Sequence, residues 1–184
     1  MACNIEIKAR VADLPALAAR AAAIADSGPV EIAQDDTFFR CDNGRLKLRV
    51  FENGHGELIF YRRPDADGPK LSFYVLSPTE CPDTLREALT LANGQEGRVV
   101  KHRTLFLVGR TRVHLDRVQG LGDFMELEVV LAEGDAVEEG VREAHALMAR
   151  LQIPVECLVE GAYHDLLRGR PPETAALAAR RQSL

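Results

Sequence analysis

The strand-like runs of this 184-residue chain place their charges on one parity and their apolar side chains on the other. Successive side chains of a β-strand point to opposite faces, so a charged parity is a charged face. In NIEIKAR (4–10), Ile5, Ile7 and Ala9 alternate with Asn4, Glu6, Lys8 and Arg10. Lys47 and Arg49 oppose Leu46, Leu48 and Val50 in RLKLRVF; Tyr61 shares a face with Arg63, and Lys70 with Ser72. Further on, Lys101 pairs with Arg103, then Arg110, Arg112, His114 and Asp116 line up against Thr111, Val113 and Leu115. Finally Glu126 and Glu128 oppose Met125, Leu127 and Val129. Counted along that face, ten bases (Lys8, Arg10, Lys47, Arg49, Arg63, Lys70, Lys101, Arg103, Arg110, Arg112) meet four acids (Glu6, Asp116, Glu126, Glu128), a surplus of six in a chain of net charge −5. A solvated face accounts for one or two such strands. It does not explain why an acidic protein gathers its bases on one face of so many.

The order of elements narrows the fold. Helical patterns cover residues 13–26, 82–93, 135–151 and 162–169, and 173–184 reads as a frayed tail. Eight strand-like runs lie between them, most joined directly. Asp42-Asn43-Gly44 and Asn53-Gly54 give hairpin signals, and Asp13 is an N-cap for the first helix. Direct joints make the strands antiparallel, and the class is α+β. A closed eight-stranded antiparallel barrel, with a charged lumen and an apolar outer wall packed against helices, satisfies both faces at once. The expected organisation is a single domain over residues 1–170 and a tail over 171–184.

Composition excludes several classes. A pI near 5.6 argues against a nucleic-acid surface, which needs concentrated Lys and Arg. Cys3, Cys41, Cys81 and Cys157 are far apart and form no CxxC pair, which fits reduced thiols. With no apolar leader and no membrane-length apolar run, the expectation is a cytoplasmic protein that binds neither membrane nor nucleic acid. A homodimer is among the assemblies this leaves open. GxxxxGK[ST], GxSxG and HExxH are all absent, and the five histidines show no metal spacing.

Clustered bases repel one another unless a polyanion joins them, and a triphosphate is the compact choice. Carboxylates beside them would repel phosphate unless a divalent cation intervenes. Mg²⁺ or Mn²⁺ takes one or two carboxylates plus phosphate oxygens, and Glu126 with Glu128 offers two on one face. Neighbouring Lys or Arg could also compensate those glutamates structurally.

The runs IEIKAR, DTFF with GRLKLR, LIFYRRPD, VVKHR, RVHLDRVQGLGDFMELE and EGAYHDLL resemble the CYTH superfamily, the triphosphate tunnel metalloenzymes, and within it the class IV adenylate cyclase branch. They follow the family's order over about residues 4–168. The resemblance implies a barrel that binds a triphosphate and Mg²⁺ or Mn²⁺. It implies Glu6, Glu126 and Glu128 as metal ligands with Asp116 close by, and Lys8, Lys47, Arg49, Arg63, Lys101, Arg103 and Arg112 as phosphate contacts, with Lys70 and Arg110 at the margin of that set. Lys101, Arg103 and Asp116 fall at the reacting centre. His114 touches the ligand or braces the wall, and Tyr163 and Asp165 are read as structural. The family's ExExK signature begins here with Asn4, a neutral carbonyl oxygen where a charged ligand is usual.

Three activities fit these residues. A cyclase converts ATP to cyclic AMP and pyrophosphate; a triphosphatase hydrolyses a nucleoside triphosphate, thiamine triphosphate or inorganic tripolyphosphate; a binding module holds a triphosphate or polyphosphate without turnover.

Overall fold

The computed structural model describes residues 2–64 and 68–169. Eight strands form the wall: β1 (Ala2–Arg10), β2 (Ser27–Phe39), β3 (Arg45–Phe51), β4 (Gly56–Arg62), β5 (Lys70–Thr79), β6 (Gln95–Val108), β7 (Thr111–Val118) and β8 (Gly122–Leu131). They close into an antiparallel barrel in the order β1-β5-β4-β3-β2-β6-β7-β8. The helices are α1 (Leu14–Ile24), α2 (Pro82–Asn93), α3 (Val137–Arg150) and α4 (Tyr163–Arg168). The α+β barrel expected from charge parity is therefore the fold found.

Local chemistry sets the joints. Asp13 caps α1, its Oδ1 accepting from the Ala16 amide at 2.9 Å. Gly54, at φ 82°, supplies the left-handed residue of the hairpin between β3 and β4. β1 closes the barrel between two partners, with Glu6 opposite Lys70 on one side and Glu128 on the other. Strands β2 and β6 are longer than the sequence pattern indicates, starting at Ser27 and Gln95.

The main apolar core lies outside the barrel, between wall and helices. Ile5, Ile7, Val113, Leu115, Met125, Leu127 and Val129 are buried against Leu17 and Ala21 of α1 and Ala144, Leu147 and Met148 of α3. Each such side chain contributes roughly 1.5–3 kcal/mol, which offsets the cost of a charged interior. Gly140 lets α3 approach this closely, because a Cβ there would sit 2.7 Å from Ile5 Cγ1. Helix α2 packs on β2 and β3.

One end of the barrel is stopped. Leu158 bridges to Ala9, and the Val159 amide donates to the Lys8 carbonyl at 3.0 Å. That strap delivers α4 onto the barrel end. There Phe38, Val99, Val118 and Phe124 point inward and join Tyr163 in a second apolar cluster. The strap and α4 thus cap this end of the tunnel. The tail expected at 171–184 lies outside the described residues.

Candidate functional site

The lumen holds a cavity of about 340 Å³, which reaches solvent beside Leu76, 48% exposed. Seven bases line it, namely Lys8, Lys47, Arg49, Arg63, Lys101, Arg103 and Arg112. Five acids line it too: Glu6, Asp36, Glu57, Glu126 and Glu128. The surplus is two, much smaller than the strand count implied, because three of the ten bases lie off this wall and inward acids match most of the rest.

Three ion networks account for the match. Asp36 takes Lys47 Nζ at 2.8 Å and Arg49 through Nε at 2.7 Å and Nη2 at 2.8 Å. Burial alone would raise the Asp36 carboxyl, but Arg49 and Lys47 outweigh it and hold it well below the usual range. Burial, reinforced by Arg49, pushes Lys47 down to about 8. Deeper in, Asp116 accepts Lys101 Nζ at 2.9 Å, Arg103 Nε and Nη2 at 2.6 Å, and the Tyr163 hydroxyl at 3.0 Å. Arg103 also binds Glu126, which lies 3.1 Å from Lys8 Nζ. Burial opposes ionisation of Glu126, yet Lys8, Lys101 and Arg103 hold its carboxyl well below the ordinary value. Nearer the mouth, Glu128 pairs with Arg112 at 3.2 Å, while Glu6 pairs with Arg63 at 3.4 Å towards the strap. The strap takes part as well, since the Gly161 carbonyl accepts Lys8 Nζ and Arg63 Nη2, both at 3.0 Å.

Some expected members stand elsewhere. Arg110 falls in the two-residue turn between Val108 and Thr111, and is aimed outward, at Asp135 (2.6 Å) and Glu143 (2.8 Å) of the helix side. The strand pattern had been extended through that turn, which breaks parity. Arg10 ends β1 outside the lumen, its guanidinium 4.8 Å from the Phe124 ring centroid. Lys70 is buried opposite Glu6 but does not reach the cavity wall. Asp116 is fully buried behind the wall, its oxygens accepting four hydrogen bonds that orient Lys101, Arg103 and Tyr163.

Several lumen residues escaped the sequence reading, Gln34, Asp36, Glu57 and Tyr163 among them. Glu57 shares parity with Tyr61, and that signal could have found it; Asp36 stands beside Asp35, and parity alone does not choose between them. Tyr163, read as structural, forms part of the cavity floor, with Lys8 Nζ 4.2 Å and Lys101 Nζ 4.9 Å from its ring centroid.

The residues present fit a divalent ion. One ring nitrogen of His114 and one carboxylate oxygen each from Glu126 and Glu128 lie within 4.8 Å of one another. Opposite ligands around an ion with ~2.1 Å bonds stand about 4.2 Å apart, so small side-chain rotations would close the set. Glu6, opposite Glu128 across the β1–β8 ladder, offers a further carboxylate. Asn4 Oδ1 and Gln34 Oε1, both on the cavity wall, are buried without a hydrogen-bond partner.

The model of the CYTH domain matches residues 2–163. The chain belongs to the CYTH family. This CYTH chain is 23% identical to the adenylate cyclase CyaB of Aeromonas hydrophila over 171 residues, covering 89% of the chain and 87% of that protein. Its fold resembles that of a Pyrococcus horikoshii protein at TM-score 0.80 and 22% identity, over 89% of the chain and 99% of that protein. It also resembles, at TM-score 0.64 and 17% identity over 92% and 98% of the two chains, a Hippeastrum protein proposed as an adenylyl cyclase and described as revealing a dominant triphosphatase activity. At such identities the likeness carries the fold alone. No helix among the described residues is long and apolar enough to cross a membrane.

Proposed function

We propose that this CYTH protein is a divalent-metal-dependent enzyme acting on a triphosphate in its lumen, converting ATP to cyclic AMP and pyrophosphate. The observation that carries this reading is the convergence of seven bases and a facing set of carboxylates on one cavity. Glu6, Glu126 and Glu128 would hold Mg²⁺ or Mn²⁺, which when bound supplies charge neutralisation and polarisation at the phosphates. Once Glu126 and Glu128 turn to an ion, Lys8, Arg103 and Arg112 lose their glutamate partners and become donors to phosphate oxygens. Metal and triphosphate therefore bind synergistically. Lys101 and Arg103, fixed from behind by Asp116, neutralise charge that builds at the reacting phosphoryl group. The 3′-oxygen bonds to the α-phosphorus as the bond to the bridging oxygen breaks, and Lys47, the amine brought to about 8, takes the hydroxyl proton.

A nucleoside is favoured over a bare polyphosphate by two features. The partnerless oxygens of Asn4 and Gln34 need donors, which ribose and an amino-purine have and ionised phosphate lacks. Ile32, Phe51, Ile59 and Leu76 add apolar surface to the wall for the base.

Hydrolysis is the second reading, with water replacing the 3′-hydroxyl. The cavity, about 340 Å³, sits at the small end of ligand cavities (roughly 300–1,000 Å³) and suits a compact triphosphate. The activity described for the Hippeastrum structure points the same way. The test is a side-by-side assay of ATP, thiamine triphosphate and tripolyphosphate with Mg²⁺ or Mn²⁺, resolving cyclic AMP, pyrophosphate and phosphate. Cyclic AMP from ATP supports the cyclase and phosphate release the triphosphatase. Thermal stabilisation by triphosphate without product would make the protein a binding module and overturn both. In an active parent, Glu126→Gln and Glu128→Gln should abolish metal-dependent turnover while metal-free tripolyphosphate binding persists or tightens.

A further inference from the structure

We propose that His114 supplies, through Nδ1, a nitrogen ligand to the divalent ion held by Glu126 and Glu128, making the site selective for Mn²⁺ over Mg²⁺. The inference rests on the metal-dependent reading above and adds a ligand and a preference to it. His114 lies on the inward parity of β7, directly opposite Glu126 in the β7–β8 ladder. Its Nδ1 is 3.6 Å from Glu128 Oε1, and the residue is 4% exposed. A histidine that merely braced the wall would have its ring nitrogens satisfied, yet this Nδ1 is buried without a hydrogen-bond partner. An unmet buried polar atom is costly, and here it faces two carboxylates.

An imidazole ligates through the lone pair of a neutral nitrogen. A neutral nitrogen adds a ligand beside the glutamates without adding to their negative charge. That matters in a lumen that must also admit a polyanion, and Asn4 at the signature position leaves out one more carboxylate. Mg²⁺ takes oxygen ligands almost alone, whereas Mn²⁺ belongs to the transition-ion series that binds mixed nitrogen and oxygen sites. A nitrogen in the set therefore favours Mn²⁺.

The test is electron paramagnetic resonance of Mn²⁺ titrated into the full chain, with spin-echo modulation to detect ¹⁴N bonded to the ion. The expected result is one bound Mn²⁺ with ¹⁴N coupling that changes when histidine is ¹⁵N-labelled. Added tripolyphosphate should bring ³¹P coupling to the same ion, which marks the lumen. His114→Ala and His114→Asn should remove the nitrogen coupling, weaken Mn²⁺ by roughly tenfold or more, and leave Mg²⁺ nearly unchanged. Lumenal Mn²⁺ without nitrogen coupling would overturn the role of His114 and leave the carboxylate site standing. Failure of the parent to bind either ion would overturn the metal reading itself, and this inference with it. The labelled parent decides the question even where a variant fails to fold.

Discussion

The floor and the mouth of the lumen use the same residue types in opposite ways. At the floor, Asp116 is fully buried and bound by Lys101, Arg103 and Tyr163 at 2.6–3.0 Å. At the mouth, Arg112 keeps 40% of its side chain exposed and meets Glu128 through one contact of 3.2 Å. Buried pairs are expensive to break, whereas half-solvated ones are worth little and exchange readily. The contrast divides the labour: the floor fixes where bases stand, and the mouth holds charges that a ligand can take over.

The largest effect should come from breaking the floor. Asp116→Ala leaves Lys101 and Arg103 buried with only Glu126 to answer them, at 3.9 Å from Lys101. A loss of about 3–5 kcal/mol is expected in urea unfolding, because a buried charge is left without its partner. A loss under about 1 kcal/mol would erase the distinction between floor and mouth.

Acid should act on the same region. In the folded state the carboxyls of Asp36, Asp116 and Glu126 are held below their ordinary values by neighbouring Lys and Arg, against the opposing effect of burial. A depressed carboxyl contributes stability that is fully present above its unfolded pKa, near 4, and that fades as pH falls below it. The melting temperature should therefore drop below about pH 4, and Asp116→Asn should soften that drop. An equally steep drop in the variant would take Asp116 out of the account.

Lys101→Ala probes the floor from the ligand's side. Asp116 keeps Arg103 and Tyr163, so the chain should fold. Loss of a charge-assisted phosphate contact, worth about 1.5–3 kcal/mol, should weaken tripolyphosphate by tenfold or more in calorimetric titration. Unchanged affinity in the folded variant would remove Lys101 from the site.

How much of this was legible in the sequence depends on how local each signal is. Parity is local, and it placed Lys47, Arg49, Lys101, Arg103 and Arg112 on the wall where the structure has them. Arg110 was misplaced because Gly109-Arg110 is a turn, and a strand pattern run through a turn assigns the wrong face. Asp36 was hidden beside Asp35: adjacent acids leave the parity of the pair undecided until the strand register is known. The match of acids to bases could not be read at all, because it depends on which strands become neighbours around the barrel. The capped end was equally out of reach. It is made by α4, more than 100 residues from Phe38 in the chain, stacking His164 on that ring at 4.8 Å.

The smallest stability effect, and the sharpest use of the comparison, is expected at Arg112. Among the described residues Glu128 is the acid it meets, and water reaches both groups. A part-exposed ion pair contributes about 0–1 kcal/mol, since attraction is screened and two long side chains must be ordered. Arg112→Ala should therefore shift the urea midpoint little. Affinity is another matter, because a phosphate arriving from solvent passes the mouth before it reaches the floor. Without Arg112, tripolyphosphate should bind more weakly and with a shallower dependence on salt, as one cation no longer steers it. Thermal melts and titrations at two ionic strengths check both halves. If Arg112→Ala destabilised the chain as much as Asp116→Ala, the mouth would be as structural as the floor, and ligand entry could not work by exchange of its ion pairs.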